Sequence, residues 1–268
     1  MNIVRMAAGI VLATILLLVL PAEWTAPHAY DEQFREVAAA PAAEGFLLGS
    51  DALGRDRWSR LIHGTRLSLT LAPAAALLSI ALAALIGGAA GYFGGAVERS
   101  ILLFIDFFLT LPWLFLLLAV RAALPLNASP LVSVAVTFAL LGCLGWAGPA
   151  RVVCTAAREF RTGDLMLQTQ AMGMSPRRLI FRQLLPTLAP LFLAQFWITV
   201  PLFILSEANL GLLGLSVSQP LPSWGNLLAE LLDLPAVAAQ PAMLAPAILL
   251  VITLCSVQLL TRRQVRNT

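Results

Sequence analysis

The side chains able to do chemistry in this chain are few and scattered. Asp106 lies inside the apolar run Ile101 to Ala123, ahead of Pro112. A carboxylate in hydrocarbon costs a few kcal/mol, so Asp106 should face a bundle interior or a water-filled path. Glu207 closes a later apolar run, and Pro222, Ser223, Trp224 and Gly225 follow it. Proline and glycine make that region an irregular loop, where Glu207 can accept bonds from backbone N–H groups and Trp224 suits a membrane interface. The remaining candidates are polar chemistry without a nucleophile. Ser216 would need a histidine to act in an intramembrane serine protease, and the two histidines, His28 and His63, are both expected in the outer segment rather than on a span. Gly91 to Gly95 is glycine-rich, but GxxxxGK[ST] is absent and all 17 basic residues are arginine, so the chain carries no Walker A lysine. Cys143, Cys154 and Cys255 have no metal-ligand spacing and read as packing residues. No catalytic, cofactor-binding or metal-binding set is expected.

The elements that must position these residues are membrane helices. Hydrophobic residues make up 59% of the 268 and charged residues 12%, with a mean hydropathy of +0.87. That is far too apolar for a soluble domain, and the reading is an all-α polytopic membrane protein. About six spans are expected: Met6 to Ala22, Leu67 to Tyr92, Ile101 to Ala123, Leu131 to Ala150, Leu188 to Ser206 and Met243 to Leu260. The first reads as a retained signal anchor. Gly87, Gly88 and Gly91 end the second and allow close helix approach. Pro112 should bend the third, and Pro190 and Pro201 should break the fifth. Between the first two spans, Asp56 can cap a short interfacial helix in which Trp58, Leu61 and Ile62 face lipid, Arg57 and Arg60 stay wet, and Gly64 closes it.

The longest polar interruption after residue 66 runs from Arg161 to Pro186 and carries Arg161, Arg177, Arg178 and Arg182. Asp164 can cap a first short helix there, which Gly173 can end in a left-handed conformation. Ser175 can cap a second, with Pro176 at its first position, and Leu179, Ile180 and Leu184 form its apolar stripe. Pro186 should end it before the next apolar block.

Several stretches resemble one family. Ala171, Gly173, Arg182 and Leu184-Leu185-Pro186 look like the cytoplasmic EAA loop of ABC-importer permeases, although Leu167-Gln168-Thr169 stands where the family usually has Glu-Ala-Ala. Gly49-Ser50-Asp51-Ala52-Leu53-Gly54-Arg55-Asp56 resembles the GTDxLGRD signature of C-type permease subunits in dipeptide, oligopeptide and nickel importers. Gly91-Tyr92-Phe93-Gly94-Gly95 is similar to the AGYFGG turn, and Asp106 with Pro112 matches an Asp-then-Pro pattern. Ser206 to Leu215 resembles AEASLSFLGLG, and Gln219 to Gly225 resembles PPxPSWG. The family's C-terminal GDxLRDxLDPR segment is missing, Ser256-Val257-Gln258 standing near its Gly-Asp.

The resemblance implies a type I ABC importer permease fold with a cytoplasmic coupling helix, in the bacterial inner membrane. It implies an ATPase-docking loop of Asp164, Leu165, Leu167, Gln168, Thr169, Ala171, Met172, Gly173, Arg177, Arg178 and Arg182. Asp106, Pro112 and Glu207 become pathway or gate residues. Asp51, Gly54, Arg55, Asp56, Pro222, Ser223, Trp224 and Gly225 become extracytoplasmic motif residues. The implied partners are a homologous B-type permease, two ATP-binding subunits that use ATP and Mg, an extracytoplasmic substrate-binding protein and the lipid bilayer. Cargo would be peptides, nickel or a metal chelate, or another small solute.

The charge distribution gives orientation independently. The net charge of +3 is small and does not point to nucleic acid. Arg5, Arg99, Arg151, Arg158, Arg161, Arg177, Arg178, Arg182, Arg262, Arg263 and Arg266 fall in segments proposed as cytoplasmic, against Glu98, Glu159 and Asp164. By the positive-inside rule both termini are then cytoplasmic. Two parts are expected: 1–66, with the first helix and an outer polar segment, and 67–268, the permease domain with its coupling loop at about 161–186. An ion-gradient-driven secondary transporter is the alternative, since it too has buried acids and broken helices.

Overall fold

The computed structural model describes residues 2–43, 45–122, 129–164, 166, 174–215 and 217–266. Among them the architecture is helical throughout, with two isolated bridges and no strand. A bilayer demands this, because lipid offers no partner for a free backbone N–H or C=O. The stretches Arg57–Phe93, Pro130–Thr162, Pro176–Leu212 and Pro241–Thr261 are long and apolar enough to cross a membrane, and Ile3–Val19 is a shorter apolar helix. With the pair Gly95–Thr110 and Trp113–Ala122, about six helical passages result.

Proline acts differently at each position. Pro112 does not merely bend its span. Leu111 is extended, at φ −70° and ψ 129°, and separates Gly95–Thr110 from Trp113–Ala122. The residue before a proline is sterically driven out of the helical region, which explains the break. Pro190 and Pro201 break nothing: Leu185–Leu212 is one helix through both. Pro186 does not stop the run either. Ile180–Leu184 widens into a π-helical turn in which the Leu185 N–H donates to the Ile180 carbonyl, and the helix continues through the proline.

The chain forms two compact units, each drawn from separated stretches: 1–73, 118–138 and 201–260 in one, and 74–117, 139–200 and 261–268 in the other. In the first, the Arg5 guanidinium donates to the carbonyls of Leu260 at 2.7 Å and Leu259 at 3.3 Å, tying the first helix to the last. The expected short interfacial helix is instead the start of Arg57–Phe93. It is capped by Asp56, whose Oδ2 accepts from the Ser59 N–H at 2.9 Å, but passes straight through Gly64. Gly64 serves packing, since a Cβ there would lie 3.1 Å from Leu227. Leu61 and Ile62 are buried in the protein rather than facing lipid, and Arg60 is fully buried rather than wet.

In the second unit, Gly87 and Gly91 bring two helices into near backbone contact. A Cβ on Gly87 would meet the Ala150 carbonyl oxygen at 2.2 Å, and one on Gly91 the Cys154 oxygen at 2.4 Å. The spacing of four residues on both helices is the small-residue pattern of membrane interfaces. Ala83, Ile105, Trp146, Ala147 and Ala150 extend the contact as a buried cluster.

Candidate functional site

Arg55, Arg57 and Arg60 of the polar segment end in a network built on Asp51 and Glu230. The Asp51 Oδ1 accepts the backbone N–H groups of Leu53 and Arg55, both at 2.9 Å. Its Oδ2 accepts Arg55 Nε at 2.7 Å and Arg60 Nη1 at 2.6 Å. Glu230 supplies the second carboxylate, taking Arg60 at 2.5 Å and Arg57 at 3.1 Å. Arg55 reaches on to Gln219 Oε1 at 2.8 Å, and Arg57 Nε to the Ser50 carbonyl at 2.9 Å. Burial alone would raise the Asp51 carboxyl. The Arg55 N–H and the Arg60 and Arg55 guanidiniums outweigh it and hold the group below the ordinary carboxylate range.

Gly54 makes this loop possible. Its φ is +78°, and a Cβ there would sit 2.3 Å from the Phe34 carbonyl oxygen, so only glycine fits the turn that aims Asp51 at both arginines. The sequence reads Arg60 as a wet residue and Gln219 only as the start of the PPxPSWG-like stretch, and it does not single out Glu230. Their signal is weak, because acid and base lie far apart along the chain and nothing local couples them.

The second constellation in this unit is built on Glu207, which is fully buried. The Ser223 hydroxyl donates to its Oε1 at 2.6 Å, and the Gly225 N–H lies 3.2 and 3.1 Å from its two oxygens. Ser223 also caps the Trp224–Ala229 helix by accepting the Asn226 N–H at 3.3 Å. A carboxylate thus meets the N–H groups that a helix start leaves unpaired. The long helix ends just beyond in a Schellman turn: Gly214 has φ +74°, with Leu215 N–H on Leu210 O and Gly214 N–H on Gly211 O. Gly211 permits the approach, since a Cβ there would be 2.1 Å from the Gly225 oxygen. Trp224 is fully buried and so does not sit at a membrane interface, and Pro222 and Ser223 are buried beside it.

The other unit holds the segment read as a docking loop. Leu165, Leu167, Gln168, Thr169, Ala171, Met172 and Gly173 lie outside the described residues, as does Ser216. On either side, Met166, Leu179, Leu184 and Leu188 bury against Val153, Ala157 and Phe160 of the Ala147–Thr162 helix. Pro176 occupies the first position of Pro176–Leu179, while the Ser175 hydroxyl makes no capping bond. Asp164, Arg177, Arg178 and Arg182 are exposed on the outside of this seat.

Two ion-pair rungs join Gly95–Thr110 to Ala147–Thr162 in the same unit. Glu98 holds Arg158 at 3.2 Å and Arg161 at 3.4 Å. Asp106 Oδ1 lies 2.8 Å from Arg151 Nη1, a contact lacking hydrogen-bond alignment, with both side chains about half exposed. Arg151 reads as loop charge in the sequence and is instead the partner of Asp106. Pro112 is exposed at the break beyond.

Comparison with known proteins bears on these constellations. Residues 80–268 match the family described as "Binding-protein-dependent transport system inner membrane component". The chain is 33% identical over 225 residues to the di/tripeptide transport system permease protein DppC of Pseudomonas aeruginosa, covering 82% of this chain and 72% of that one. It is 29% identical over 231 residues to the oligopeptide transport system permease protein OppC of Haemophilus influenzae, covering 85% and 72%. Against the dipeptide transport system permease protein DppC of Bacillus subtilis it is 28% identical over 225 residues, covering 84% and 68%.

Proposed function

Because the chain belongs to the family of binding-protein-dependent transport system inner membrane components, we propose that it is the C-type permease subunit of an ATP-driven importer and forms half of a path for peptides. Its all-α, multi-pass architecture is the type I importer permease fold. The observation that carries the reading is the family match over 80–268, which includes the docking segment and the Glu207 to Gly225 constellation. Nickel, a metal chelate or another small solute is the broader cargo class.

In this reading a homologous B-type permease completes the path, two ATPases bind and hydrolyse ATP with Mg, and an extracytoplasmic binding protein delivers the solute. This chain contributes mechanical coupling. A coupling element must be stiff and must make different contacts in two states of the partner. The buried seat of Met166, Leu179, Leu184 and Leu188 supports stiffness, and the exposed arginines supply contacts to an ATPase. Pro176–Leu212 continues from that seat to Glu207 within one helical stretch. The arginine distribution supports cytoplasmic termini, with the Asp51 network and the Glu207 loop outside, where they meet the binding protein or form the outer gate.

Affinity purification from native membranes in mild detergent tests the assembly. A second permease and ATP-binding subunits should stay bound. Recovery of the chain alone, with ATPases detectable in the starting membranes, would contradict it.

A further inference from the structure

Glu98 is nearly buried, yet both of its partners reach water. Its side chain is 12% exposed, against 26% for Arg161 and 48% for Arg158. A carboxylate taken out of water must be compensated where it stands, whereas a guanidinium with an edge in solvent has water for a partner. Glu98 is thus the fixed member of the group, and the arginines are held to it. The Arg161 guanidinium is fixed a second time, because it lies against Gly94, where a Cβ would overlap its nitrogens. Gly94 is the turn between Arg57–Phe93 and Gly95–Thr110, so that turn and the end of Ala147–Thr162 meet at one side chain.

Both sides of this contact also reach the buried seat of the docking segment. Val153, Ala157 and Phe160 of the arginine-bearing helix build it with Met166, Leu179, Leu184 and Leu188, and Tyr92, just ahead of the Gly94 turn, packs against it. All of these residues belong to one compact unit. Apolar burial has no direction, and packed helices slide over one another by small shears. A charge-assisted hydrogen bond has direction, and here it sits at the helix end where such a slide would begin.

We propose that Glu98 is a positioning residue for energy coupling. Through Arg161 it locks the end of Ala147–Thr162 to the Gly94 turn, so that displacement of the docking segment by an ATPase moves the adjoining helices as one body instead of being lost at the seat. The inference rests on the peptide-importer reading above, and it adds the contact that passes the movement on.

The test compares wild type, Glu98→Gln, Arg161→Gln and the double variant in proteoliposomes that hold the chain with its co-purified subunits and binding protein. Trialanine uptake and ATP hydrolysis are read in the same vesicles. Because both arginines reach water, Glu98→Gln strands no buried charge and should assemble with the ATP-binding subunits in wild-type yield. Uptake per ATP hydrolysed should fall by roughly fivefold or more, the size of a coupling between sites, while hydrolysis continues. Arg161→Gln should show the same loss although Arg158 still pairs with Glu98, and the double variant should lose no more than either alone, as residues acting through one contact do. An unchanged ratio in both single variants overturns the proposal. So does an equal fall of uptake and hydrolysis, which is what a merely structural ion pair gives. If Glu98→Gln does not assemble, Arg161→Gln decides by the same ratio. Absence of ATP-driven trialanine uptake in wild type overturns the peptide-importer reading and the inference with it, whereas the other contrary outcomes leave that reading standing.

Discussion

Replacing Asp51 by leucine should cost about 3–5 kcal/mol of stability, the penalty for leaving a buried charge without its partner. Arg60 is fully buried and Arg55 nearly so, and Asp51 Oδ2 is the acceptor they share. Two backbone N–H groups lose their acceptor in the same change. Thermal unfolding of the purified protein in detergent would measure the loss, and Asp51→Asn, which keeps an acceptor oxygen, should lose less. The acid dependence follows from the depressed carboxyl. A group whose folded pKa is lowered contributes its full stability above its unfolded value, near 4, and loses it as pH falls through the lowered folded value. Wild type should therefore outlast both variants at neutral pH, and the gap should narrow only below about pH 4. A gap constant down to pH 2 would mean that the Asp51 charge contributes nothing.

Gly87→Val should be nearly as damaging, and Gly88→Val should not. The two glycines are adjacent in one helix, so a β-branched residue carries the same intrinsic helix penalty at either. The surroundings separate them. A Cβ at Gly87 would press 2.2 Å from a backbone oxygen that no rotamer change can move, while at Gly88 nothing lies within 4 Å. Forcing the helices apart should cost about 1–3 kcal/mol or more. Equal melting temperatures for the two variants would show that this helix contact does not hold the unit together.

How much of this was legible beforehand depended on whether the signal was local. The helical, multi-pass architecture follows from composition, because a bilayer leaves so few backbone solutions. The Gly87–Gly91 approach could be read from spacing alone, and Asp56 announced itself as a cap. Proline was harder. Pro112 breaks a helix and Pro201 does not, although the local rule for the residue before a proline is the same at both; only at Pro186 does a widened turn, Ile180–Leu184, accompany the continuing helix. The Asp51 network was half visible: Arg55 is a local partner, but Arg60 and Glu230 meet only after the fold brings residue 230 back to residue 60. Trp224 misled because tryptophan is common at interfaces, whereas here Gly211 and Gly225 draw its helix into the protein. Arg151 misled for a related reason. Counted as loop charge, it satisfied the positive-inside rule, and only its position on a helix face beside Asp106 gave it a partner.

The most direct measurement of the central claim is uptake of a labelled tripeptide into proteoliposomes that hold the chain with its co-purified subunits. Uptake should require ATP and Mg enclosed on the side of the docking segment and binding protein on the other, and should survive collapse of every ion gradient. Uptake by this chain alone, driven by an ion gradient and indifferent to ATP, would contradict the account and make the protein a secondary transporter.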